Sequence, residues 1–112
     1  MRNNFRNMKE VLLDIGEFLK VLEERGIDRK LVRYCVRKTS LSNMVDRIEV
    51  VASAPDFKNN VIVECRVFHK DVMIYDKEEW EKTSKEADEW LEKIKEIIPE
   101  AKSGIWKYAQ EK

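Results

Sequence analysis

The side chains with the widest chemical range in this sequence are few: one histidine, His69, and two cysteines, Cys35 and Cys65. A histidine acts as a general base when a nucleophile and an orienting carboxylate are brought to it. No such motif surrounds His69, which reads as an exposed histidine at a strand end. A structural zinc site needs four ligands, and two cysteines outside any C-x-x-C unit, with a single histidine, do not supply them. Cys35 and Cys65 read instead as buried thiols that behave as small hydrophobes. Gly16, Gly26 and Gly104 stand too far apart to build a glycine-rich loop whose N–H groups could cradle a phosphate, which excludes P-loop and dinucleotide binding. Glu49 and Glu64 fall on segments that read as neighbouring strands, and paired carboxylates can divide acid and base roles. Lying among arginines, they are expected to be cross-strand ion-pair partners. No catalytic residue, metal ligand or cofactor is expected.

One surface has a composition that suits contact. Strand periodicity groups Arg33, Arg37, Arg47 and Arg66, half of the eight arginines, on one sheet face with Glu49, Val51, Ile62, Glu64 and Phe68, and with no lysine. Arginine's planar fork suits bidentate pairing and stacking in desolvated contacts, whereas lysine serves plain solubility. Arginine with aromatic and aliphatic neighbours is also the composition of interface cores. Three readings stand: a solvated ladder of charges, a surface for self-association or a partner, and a nucleic-acid surface. The expectation is a small non-enzymatic interaction domain that self-associates, most simply as a dimer, through this outer face or an edge strand. The alternative is a weak nucleic-acid-binding protein that uses the arginine face with Arg29 and Lys30.

These residues must be positioned by regular elements. Phe5, Met8, Leu12, Ile15, Leu19 and Leu22 step by three and four, with Val11 and Phe18 beside them, which predicts an amphipathic helix ending at Arg25 and Gly26. Residues 1–7 read as an arm ahead of it. Leu31 to Lys38 alternates as a strand, while Asp28 as a cap with Arg29, Arg33 and Arg37 on one face leaves a helical reading of 29–38 open. A turn over Thr39 to Asn43 leads to a strand from Val45 to Ala54, ended by Pro55, and a loop from Asp56 to Asn60. Val61 to His69 is the cleanest strand; Lys70 and Asp71 read as a connection into a returning arm, Val72 to Tyr75. Cys35 and Cys65 then point to opposite sides of the sheet. Asp76 and Glu79 form a capping box for a second helix carrying Trp80, Thr83, Ala87, Trp90, Leu91, Ile94, Ile97 and Ile98, which stops before Pro99. Residues 99–112 read as a packed tail in which Ser103 to Ala109 is either a short helix or a final strand.

The fold class that follows is α+β: an antiparallel three- or four-stranded meander in helix–strands–helix order, with both amphipathic helices on one face. The order resembles that of the double-stranded RNA-binding domain. That family grips phosphates with lysines at the start of its second helix; here Asp76, Lys77, Glu78, Glu79, Trp80 and Glu81 stand there, whose acidic side chains repel a phosphate backbone, so the resemblance is rejected. At 112 residues and 43% hydrophobic the chain suits a single domain, residues 1–112, and 39% charged residues imply a densely ionic surface. Fifteen Glu and fourteen Lys against one Gln is a composition found in proteins of hot environments. The net charge of zero gives no bulk attraction to nucleic acid or an anionic membrane, although residues 1–50 carry +3 and residues 51–112 carry −3. Without a long apolar run or a secretory leader, the expected location is cytoplasmic with no membrane partner.

Overall fold

A computed structural model describes residues 9–104 and 106. Asp14 and Gly26 set the limits of the first helix. The Asp14 carboxylate accepts from the Glu17 N–H at 2.8 Å, and Glu17 reaches back to the Asp14 N–H at 3.4 Å, a complete capping box at the start of α1, Ile15–Glu24. At the other end Gly26, at φ 65°, lets its own N–H reach the Glu23 carbonyl and the Ile27 N–H reach the Leu22 carbonyl. That is the Schellman stop for which a glycine is suited. Upstream of the cap the helix expected from Phe5 is not found over the described residues. Lys9–Leu13 is instead a strand, β1, parallel to a later strand with Val11 beside Val63. Val11, Leu12 and Leu13 are consecutive apolar residues, a pattern that suits a parallel strand as well as a widened helix stripe, and the Asp14 cap decides the boundary. Phe5 and Met8 lie outside the described residues.

Asp28 caps a single 3₁₀ turn, Arg29–Leu31, accepting from the Lys30 N–H, after which the chain extends as β2, Arg33–Ser40. Residues 29–38 are therefore turn then strand, and the turn into β3, Val45–Asp56, comes two residues later than the sequence suggests. Pro55 lies inside β3, not after it. Its ladder partner is Ile62 on one side, while β2 has already begun at Arg33 opposite Ser53, so no N–H is needed on the other. The hairpin expected at Lys70 and Asp71 is also absent, because β4 runs unbroken over Val61–Met73, with Lys70 opposite Ile48 and Asp71 opposite Arg47. Helix α2 spans Lys77–Ile97, and the Asp76 carboxylate accepts from the Glu79 N–H at 3.1 Å. The Glu79 carboxylate does not complete the box; it pairs with Lys70 across on β4. The tail returns as a two-residue strand, β5, Lys102–Ser103, parallel to β2, and beyond it only Gly104 and Trp106 are among the described residues.

The sheet order is β1-β4-β3-β2-β5. The antiparallel centre β4-β3-β2 is the expected meander, but parallel strands at both edges make the sheet mixed, and β1 and β5 break the helix–strands–helix order. Phe18 and Leu22 of α1 and Ala87 and Ile94 of α2 join Val32, Ile48, Val50, Ala52, Ala54, Val63, Cys65 and Val72 in one core. Both helices therefore cover the same face, and the molecule is a plate 44 × 40 × 19 Å.

Candidate interaction surfaces

On the face away from the helices, strand alternation and register bring together Arg33, Cys35 and Arg37 of β2, Arg47, Glu49, Val51 and Ser53 of β3, and Ile62, Glu64 and Arg66 of β4. This is the surface expected from the sequence, with one exception. Phe68 packs on the helix side against the core. A bulge causes this: Val50 faces Phe68 while Val51 faces Arg66, so Val67 is an extra residue that inverts the alternation beyond it. His69 takes the outer place opposite Glu49 and is exposed.

The arginines of this face are held by its own carboxylates. Arg37 donates from Nε to Glu49 at 2.9 Å and from both Nη atoms to Glu64 at 3.1 and 3.2 Å. Arg66 donates to the second oxygen of Glu49 at 2.6 Å, and Arg47 holds Asp71 at 2.8 Å. Arg33 carries no ion pair among the described residues; its guanidinium lies 4.9 Å from the Trp106 ring centroid, and the Trp106 indole donates to the Leu31 carbonyl at 2.8 Å. Glu49 and Glu64 are only 4% and 5% exposed. Burial alone pushes the Glu49 carboxyl up, but the hydrogen bonds from Arg66 and Arg37 outweigh it and hold the group below its ordinary range. A general acid needs the opposite shift to that of Glu49; Glu49 and Glu64, both bonded to Arg37, are joined in one ion network. Burial pushes the Cys35 thiol up against the opposing charge of Arg37, and pushes Cys65 up to about 12. Both cysteines are free, one on each side of the sheet, and neither has the character of a nucleophile.

The second surface is a strand edge, a kind of site the sequence expects without saying which strand provides it. The N–H groups of Lys102 and Gly104 donate to the carbonyls of Val32, just ahead of β2, and Tyr34, at 3.0 and 2.9 Å, so these even-numbered residues turn their backbone groups away from β3. By alternation Val36 and Lys38 do the same. Since β5 pairs only with Arg33 and Tyr34, the edge from Val36 onward meets no strand among the described residues. Beside it, between β2 and α2, runs a groove of about 290 Å³ lined by Val36, Lys38, Ile48, Trp80, Ser84, Ala87 and Asp88. Val36 is 42% exposed at its mouth, and the Lys38 ammonium lies 5.4 Å from the Trp80 ring centroid. The sequence assigns Trp80 wholly to the core; its helical spacing is right, but which rim of the stripe stays open depends on where the sheet ends.

Among the described residues no group of three or more His, Cys, Asp or Glu is placed to hold a metal ion, and no helix is long and apolar enough to cross a membrane. No family model, curated protein or solved structure matches this chain.

Proposed function

We propose that this chain is a small interaction domain that associates with a second copy of itself through the open edge of β2. The observation that carries the reading is the adjacency of a strand edge that meets no strand among the described residues, at Val36 and Lys38, to the apolar groove under Trp80. An added strand satisfies the free backbone groups, and alternate side chains reach the groove, which is the physics of strand addition. A lysine on an edge ordinarily deters such pairing; Lys38 is drawn over Trp80, which lays its charge across the helix side and off the edge. The arginine face offers less to a partner, because Arg37, Arg47 and Arg66 already hold Glu49, Glu64 and Asp71. Phosphates would have to displace those carboxylates, so the nucleic-acid reading ranks second.

Val36→Pro tests the edge. The Val36 N–H points away from β3, so a proline there deletes a donor to an incoming strand and spares the β2–β3 ladder. Light scattering is expected to give twice the chain mass for the wild type and the chain mass for the variant, with unchanged circular dichroism. A wild type that stays at the chain mass across a wide concentration range overturns the reading.

A further inference from the structure

Resting on that reading, we infer that the two copies meet about a two-fold axis passing Arg37, and that Lys77 and Asp88 of α2 fix the arrangement, each facing its counterpart on the second copy. Ser84 and Asp88 line the β2-side groove, and Lys77 and Glu81 share their stripe at helical spacings of four, three and four. Glu79 and Glu86, which face Lys70 of β4, mark the opposite flank. Lys77, Glu81, Ser84 and Asp88 are all exposed. None of the three charged ones forms an ion pair among the described residues.

An isologous contact requires a stripe that complements itself when reversed. This one does. Reversal opposes Lys77 to Asp88 and Glu81 to Ser84, so that two ion pairs and two hydroxyl–carboxylate contacts arise from four residues. The midpoint of the stripe lies between Lys82 and Thr83, hence between Trp80 and Ser84, which line the groove with Lys38 and Val36. The midpoint of Val36 and Lys38 is Arg37. One axis therefore serves strand and helix together. An antiparallel β2 centred there sets Val36 opposite Lys38 of the second copy and overlaps the stretch from Cys35 to Thr39, the part of the edge beyond the two residues that β5 covers.

Charge exchange tests this without disturbing the strand edge. Lys77→Glu places two acidic residues at each contact and Asp88→Lys two basic ones, so each variant alone is expected to self-associate about tenfold more weakly than the wild type. Mixed in equal amounts, the two variants are complementary at both contacts. Native mass spectrometry is expected to show the mixed dimer in excess over either homodimer. Should the wild type dimerise and Val36→Pro abolish it while neither charge variant changes the dimer, or should the mixture show no preference, the arrangement is wrong and the edge reading stands. A monomeric wild type removes both.

Discussion

At the scale of residues, the arginines of the outer face differ sharply in what they hold. Asp71 is half-exposed beside Arg47, whereas Glu49 and Glu64 are almost fully buried and depend on Arg37 and Arg66. An exposed pair contributes about 0 to 1 kcal/mol, so Arg47→Ser should be nearly silent in a denaturant melt. Arg37→Ser removes the guanidinium that pairs with Glu64 and one of the two that hold Glu49, leaving buried charge uncompensated, and should cost about 2 to 4 kcal/mol. Equal costs for the two variants would mean that the network contributes nothing beyond its exposed members. The same carboxylate gives a pH signature. Because its folded value lies below its unfolded one, about 4.3, Glu49 contributes stability that is complete above that pH and is lost as pH falls through the depressed folded value. Stability measured between pH 5 and pH 2 should therefore fall less steeply in Glu49→Gln than in the wild type.

At the scale of elements, local chemistry decided most boundaries. Asp14→Ala should cost about 1 kcal/mol by removing the α1 cap, and Asp76→Ala about the same at α2. Glu79→Ala should cost less than 1 kcal/mol, because it forfeits only its exposed pair with Lys70 and no reciprocal cap; denaturant midpoints of the three variants compare them directly. Two helices and the central three strands were legible because each carries its own period and stop signal: Gly26, Asp76 and the alternation from Val61. What was not legible depends on residues distant in sequence. Lys9–Leu13 becomes a strand because β4 offers it an edge, and a two-residue β5 has too little sequence to carry a period. The bulge at Val67 leaves the apolar run Val67–Phe68 unchanged in composition while moving Phe68 across the sheet. Eight of the nine residues expected on the outer face lie there; Phe68 is moved off it by that single inserted residue.

At the scale of the whole molecule, the described residues form a plate 19 Å thick with both helices on one sheet face, while on the other face Glu49, Val51, Ser53, Ile62 and Glu64 are each no more than 5% exposed. Charge buried in that way is either matched internally or shared. Here Glu49 and Glu64 are satisfied within the chain, whereas the β2 edge from Val36 onward and the charges of the α2 flank meet no partner among the described residues. If a second copy meets them, folding and association are one equilibrium, and stability must depend on concentration. For a dimer that unfolds to monomers, each tenfold rise in concentration adds half of RT ln 10 per chain, about 0.7 kcal/mol. With an unfolding entropy near 2.1 cal/mol/K per residue, this raises the melting temperature by about 3 °C. The wild type should show that slope at concentrations above its dissociation constant, and Val36→Pro should melt at one temperature throughout. Lys77→Glu and Asp88→Lys should each begin to climb only at concentrations about tenfold higher than the wild type. A wild-type melting temperature that does not move over a thousandfold range of concentration would show that the edge of β2 remains solvated and that the reading of a strand-edge dimer is wrong.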